Sequence, residues 1–148
     1  MTVGYSGTPL PKKLGIKPGM IVTLIGAPGH YADTLGDLPD GVVIERIDAA
    51  NDLDRGEMIQ YFTTKADALE DDFPALKTAL TPNGTLWVSW PKGAAKVPTD
   101  LNENIVREIG LKNGLVDVKV CAVDQIWSGL KFVYRSEDRT NAGTKNSA

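Results

Sequence analysis

The run Met20-Ile21-Val22-Thr23-Leu24-Ile25 does most to limit what this chain can fold into. Every position but one is apolar, and turn formers bracket the run: Lys17-Pro18-Gly19 before it, Gly26-Ala27-Pro28-Gly29 after it. A strand with one wet face alternates between apolar and polar residues. A short run without alternation reads as a strand buried on both faces, which is the pattern of a parallel sheet covered by helices.

The remaining segments supply the strand–helix alternation that such a sheet needs. Val42–Ile47, Glu57–Thr63, Thr85–Trp90, Val116–Val123 and Trp127–Tyr134 are rich in β-branched and aromatic residues. Between them lie helical patterns. Tyr31–Leu38 is closed by Pro39-Asp40-Gly41, and Lys65–Leu80 places Ala68, Leu69, Phe73, Leu76 and Leu80 along one stripe. A third helix starts at Asp100, paired with Glu103 in a capping box, and runs to about Lys112. Pro74 predicts a kink, or a junction between two helical pieces. A short helix, Pro9–Leu14, precedes the first strand, with Thr8 as its N-cap and Gly15 as its C-cap. Thr81-Pro82-Asn83-Gly84 reads as a turn, Asp48–Gly56 as irregular and Pro91–Pro98 as a loop.

This order predicts an α/β domain with a three-layer, Rossmann-like sheet of about six strands, mostly parallel through right-handed crossovers. The few residues Asp124–Ile126 between the last two runs predict a C-terminal antiparallel hairpin. One domain spans residues 1–135, opening on an extended or poorly ordered Met1–Ser6. Ser136–Ala148 contains no large apolar residue and reads as a disordered tail.

Composition narrows the function classes. With 16 basic and 19 acidic residues, the net charge of −3 gives no general attraction to nucleic acid or to anionic lipid. Neither a nucleic-acid partner nor a membrane is therefore expected. The one candidate basic patch is Lys12–Lys13 with Lys17 nearby. No signal-peptide pattern and no apolar run of membrane-spanning length occur, so the expected location is cytoplasmic. Cys121 is the only cysteine and His30 the only histidine, so an internal disulfide is impossible and no metal site is expected. Cys121 sits in an apolar run and reads as a buried structural thiol.

A site belongs at the carboxyl ends of the strands, where the strand order reverses. That places Gly26–Tyr31, Ile47–Asn51, Thr63–Lys65 and Pro91–Lys96 around one crevice. Gly26, Gly29, His30 and Tyr31 form the strand-to-helix loop, where backbone N–H groups could meet a phosphate. Glu45, about 20 residues further on, stands where a ribose-binding carboxylate would sit. Trp90 could floor a pocket, with Lys92 as an anion contact. The same residues also have plain structural readings: a tight turn for the glycines, a surface histidine, and core packing for Trp87 and Trp90 on opposite faces of the sheet. No Ser/His/Asp arrangement, Gly-x-Ser-x-Gly or Walker loop is present.

Two resemblances extend this reading. GYSGTPLPKKLGIKPG (Gly4–Gly19), GTLWVSWPK (Gly84–Lys92), TDLNENIVRE (Thr99–Glu108) and GLVDVKVCAVDQIWSGLKFV (Gly114–Val133) resemble a bacterial family of small proteins known only as a domain of unknown function. In architecture, LKTALTPNGTLWVSW and the closing hairpin Val116–Tyr134 are similar to a shortened class I S-adenosylmethionine-dependent methyltransferase. That likeness implies S-adenosylmethionine as a possible cofactor. In place of the acidic residue and alternating glycines of such enzymes this chain has Thr23-Leu24-Ile25-Gly26-Ala27-Pro28-Gly29, and Asp48–Gly56 replaces one strand–helix unit. The residues thus favour a non-catalytic domain that binds a small molecule or a protein partner. The alternative is an atypical S-adenosylmethionine-dependent methyltransferase or nucleotide-binding enzyme, and whether the chain is an enzyme stays open at this point.

Overall fold

The computed structural model describes residues 8–139. The expected extended Met1–Ser6 and most of the expected tail lie outside the described residues. The first four residues of that tail, 136–139, form a helical turn, in which Arg139 N–H donates to the Arg135 carbonyl at 3.0 Å.

The element order is α1 (Leu10–Leu14), β1 (Ile21–Ile25), α2 (Tyr31–Leu35), β2 (Val43–Ile47), β3 (Gly56–Phe62), α3 (Ala66–Ala79), β4 (Leu80–Pro91), α4 (Glu103–Lys112), β5 (Leu115–Ala122) and β6 (Trp127–Tyr134). The strands form one six-stranded sheet in the order β2-β1-β3-β4-β6-β5. β2, β1, β3 and β4 run parallel, and β6 and β5 add an antiparallel end. The expected fold class is what the chain adopts. The order reverses at β1, which sits between β2 and β3.

Helices cover both faces. Under α3 and α4, one core gathers Ile25, Ile59, Tyr61, Val88, Trp90 and Phe132 with Leu69, Phe73 and Leu76 of α3. On the other face, Val22, Leu24, Met58, Phe62, Trp87 and Cys121 pack against α1 and α2 through Leu14, Tyr31 and Leu35. Trp87 and Trp90 thus serve opposite cores, as strand alternation requires, since residues three apart point to opposite faces. Trp87 also holds α1 in place: its indole N–H donates to the Leu14 carbonyl at 2.9 Å.

Several boundaries differ from expectation, each for a local reason. Pro9 takes the cap position of α1, and Leu10 is its first residue. α2 ends at Leu35 rather than Leu38 because Gly36 (φ 75°) leaves the helix. α3 runs through Pro74 in one piece. Pro74 and Glu70 are both exposed, so the helical hydrogen bond that the proline removes lies on the solvent-facing side of α3. The expected turn at residues 81–84 is absorbed into β4 as an irregularity. Gly56 faces Leu80 and Met58 faces Thr85, so three extra residues on β4 loop out between those pairs. Asp48–Gly56, expected to be irregular, contains one short 3₁₀ turn at Ala50–Asp52 whose Ala50 is buried in the core.

The capping of α4 is a correction. Asn102, not Asp100, is the cap, and its side-chain oxygen accepts from Ile105 N–H at 2.9 Å. Asp100 instead accepts the Ala66 N–H at 2.8 Å, so it caps α3 from 34 residues away. Beside it, the Thr99 hydroxyl donates to the Thr64 carbonyl at 2.6 Å. The two bonds pin the loop after β4 across the end of β3. Asp100→Ala leaves the first turn of α3 without this acceptor and should cost about 1 kcal/mol of stability. Urea denaturation checks this, and an unchanged midpoint would show that solvent caps α3 as well as Asp100 does.

Candidate functional site

The four parallel strands end on one edge of the sheet, at Ile25, Ile47, Phe62 and Pro91. The expected crevice segments therefore do lie along one rim. Their side chains do not gather there.

Gly26 shows why the loop closes. Its φ is 71°, and a Cβ on it would stand 2.6 Å from the Phe62 carbonyl oxygen. The loop thus lies directly on the end of β3. Gly29 differs: its φ is not positive, and a Cβ there would meet nothing within 4 Å. Only the first glycine is required by packing. The Tyr31 N–H is turned back to the Pro28 carbonyl at 3.0 Å and is not offered to a ligand.

Tyr31 fills the space beneath the loop. Its side chain is buried, its hydroxyl bonds to the Gln60 amide oxygen, and its ring meets Phe62 edge-on at 4.8 Å. Phe62 in turn meets Trp127 at 5.2 Å. This aromatic row occupies the layer under the β1–β3 reversal. Burial raises the Tyr31 phenol well above its usual pKa, with the nearby Cys121 and Asp124 adding to the shift. The phenol stays protonated and donates to Gln60.

His30 is exposed at the start of α2, where its carbonyl, not its ring, accepts the N–H groups of Asp33 and Thr34. Trp90 lies in the core under α3 and α4 and is 5% exposed, so it is no floor of an open crevice. Lys92 is half-buried, and its N–H donates to the Ile126 carbonyl at 2.7 Å.

Glu45 stands in the middle of β2, opposite Thr23, whose buried hydroxyl donates to it at 3.4 Å. It faces a cleft of about 530 Å³ that also takes in Ile21, Arg55, Glu57 and Asn83, towards the strand starts rather than the rim. The residue that does follow the end of β2 is Asp48, exposed on the rim. Its place just past the last apolar residue of the strand was the available signal. Asp124 is a second residue that sequence reasoning left without a role. Its carboxylate accepts the N–H groups of Ile126 and Trp127, each at 2.8 Å, and this sets the turn between β5 and β6.

A second cleft, of about 510 Å³, opens between α1, α2 and that turn. Leu10, Leu35 and Val123 give it apolar walls, while Lys13, Asp37 and Asp124 bring charge. The turn lies at the carboxyl edge, since Trp127 pairs with Pro91. Neither cleft is lined by Gly26, Gly29, His30, Tyr31, Trp90 or Lys92. Among the described residues no group of three or more His, Cys, Asp or Glu side chains could hold a metal ion, and no helix is long and apolar enough to cross a membrane. Cys121 is buried, and burial raises its thiol pKa despite the nearby lysines 13 and 119.

No family model matches the chain, and no curated protein matches it. Solved structures do. A S-adenosylmethionine-dependent methyltransferase from Aquifex aeolicus superposes with a TM-score of 0.62 at 18% identity, over 82% of this chain and 85% of that one. A ribosomal protein L11 methylase from Lactobacillus delbrueckii gives 0.58 at 13% identity, over 85% and 75%. The magnesium protoporphyrin IX methyltransferase of Synechocystis, with bound S-adenosylhomocysteine, gives 0.53 at 12%, over 80% and 75%. The chain's fold is similar to that of class I S-adenosylmethionine-dependent methyltransferases. At these identities the likeness is one of fold alone.

Proposed function

We propose that the protein is a small-molecule-binding domain that keeps the methyltransferase scaffold without performing methyl transfer. The observation that carries this reading is the closed glycine loop. Gly26 rests on the Phe62 carbonyl, and Tyr31 fills the layer below. The ligand enters instead between α1, α2 and the β5–β6 turn, in a cleft whose volume of about 510 Å³ is ordinary for a small-molecule site. Its mix of apolar walls with Lys13, Asp37 and Asp124 fits a polar, partly charged metabolite. Neither a histidine nor a thiol lines it, and this favours binding over catalysis.

A second reading is supported by one specific feature. The space above Gly29 is open, and the fold neighbours include a methyltransferase holding S-adenosylhomocysteine. On that reading the cofactor lies over Gly29, with Asp48 at the ribose.

Calorimetric titration with S-adenosylmethionine and S-adenosylhomocysteine separates the two. The binding-domain reading expects no heat at millimolar cofactor, and crosspeak shifts in a small-metabolite screen by NMR that cluster on Leu10, Thr34 and Val123. Cofactor binding that is lost in Gly29→Val or Asp48→Ala would overturn it in favour of the second.

A further inference from the structure

The sequence offers Lys12, Lys13 and Lys17 as its one basic patch. The fold adds to that patch from the other end of the chain. On the face covered by α1, Lys119 of β5 lies directly opposite Lys131 of β6 in the antiparallel register. Like charges directly opposite across a strand pair are destabilising. A Cβ placed on Gly15, the cap of α1, would stand 3.9 Å from Lys131 Nζ, so the ammonium lies against the end of α1, two residues before Lys17.

The acceptors that could account for this crowding are otherwise engaged. The end of α1 has few carbonyls to give: Lys12 O and Pro11 O accept from Gly15 and Ile16, and Lys13 O accepts from Lys119 Nζ at 3.1 Å. α1 has only five residues, so its dipole offers little compensation. Among the described residues no carboxylate forms an ion pair with Lys17, Lys119 or Lys131; the salt bridges belong to Arg107 and Lys112. Lys131 is half-buried among them, and burial, followed by Lys119 and Lys17, lowers its pKa from the usual lysine value. Lys119 and Lys131 thus face each other, and Lys131 lies against the end of α1 two residues before Lys17. Among the described residues none of the three has a carboxylate ion-pair partner, in a protein whose net charge is −3.

We propose that Lys17, Lys119 and Lys131 form a binding site for a phosphate group of a soluble phosphorylated molecule, at the seam between α1 and the β5–β6 hairpin. The site is separate from the cleft proposed above and does not rest on that reading. An anion held there turns the repulsion into charge-assisted hydrogen bonds and ties α1 to the hairpin.

Thermal unfolding in inorganic pyrophosphate, against sodium chloride of equal ionic strength, tests the proposal. Pyrophosphate should raise the Tm of the unmodified protein by about 2–4 °C over chloride. Lys131→Met, which keeps the side-chain length and removes the charge, should have the higher Tm in chloride and lose the pyrophosphate response. Lys119→Gln should weaken that response, and Lys96→Gln, a substitution outside the cluster, should leave it whole. A response equal to that of chloride, or one that survives in Lys131→Met, overturns the site. Co-sedimentation with phosphatidylglycerol vesicles distinguishes a lipid headgroup from a free phosphate. The expected result is no sedimentation, and Lys131-dependent sedimentation overturns the soluble source.

Discussion

Gly26→Ala should lower the free energy of unfolding by about 3 kcal/mol, while Gly29→Ala, three residues on in the same loop, stays within about 0.5 kcal/mol of the parent. Two costs add at Gly26. Its φ of 71° is the left-handed region, where a side chain costs roughly 1–2 kcal/mol. The new methyl would also stand 2.6 Å from the Phe62 carbonyl oxygen, and that atom belongs to the backbone of a central strand. It cannot turn aside as a side-chain tip can, so overpacking adds a similar amount. Gly29 has neither problem. Chemical denaturation of the two variants gives the comparison. Equal losses would mean that the loop is one rigid unit, not a single close contact followed by an open turn.

The second large effect reverses a general rule. In a helix interior, glycine to alanine usually gains close to 1 kcal/mol. Gly110 lies in α4, yet Gly110→Ala should lose about 2 kcal/mol. A Cβ there would come within 2.0 Å of the Phe132 ring. Phe132 is fully buried and is braced edge-on by Phe73 at 5.6 Å, so the ring has no room to yield. Close packing of α4 on β6 depends on this missing side chain. A double-mutant cycle with Phe132→Leu isolates the contact. The two substitutions together should cost at least about 1 kcal/mol less than the sum of each alone, and strict additivity would refute the contact as the cause.

Much of the fold was legible because its signals are local or periodic. A nearly continuous apolar run marked β1, β-branched and aromatic residues marked β4, and alternation assigned Trp87 and Trp90 to opposite faces. The failures came where a local pattern has a distant partner. Asp100 has the spacing of a capping box, yet its carboxylate serves Ala66 of another helix. Thr81-Pro82-Asn83-Gly84 has turn chemistry and does loop out, but β3 continues beside it and takes the chain back into the ladder. The candidate site was less legible. Its rim follows from strand ends, which sequence can locate. Whether a rim is open depends on what fills it, and nothing near Tyr31 in sequence announces that its ring will lie between Phe62 and Gln60. Glu45 was placed by counting from the glycine loop, and the count fell two residues short of the end of β2 and three short of Asp48.

The ties between α1 and strands β4 and β5 bear on how the chain folds as it is made. Leu14 depends on Trp87, and Lys13 exchanges hydrogen bonds with Ala122 and Lys119, contacts that span 73, 109 and 106 residues. At ribosomal rates of roughly 5–20 residues per second, α1 emerges some 5–20 s before the strands that hold it. A five-residue helix has no stability of its own over that interval. Leu14 and Ile16 therefore wait in solvent, or in the care of a chaperone, until β6 is complete. Docking of α1 becomes a late step that reports on the whole sheet, and a chain released before Tyr134 would carry that segment unsheltered, as a mark by which proteolysis can recognise an unfinished molecule.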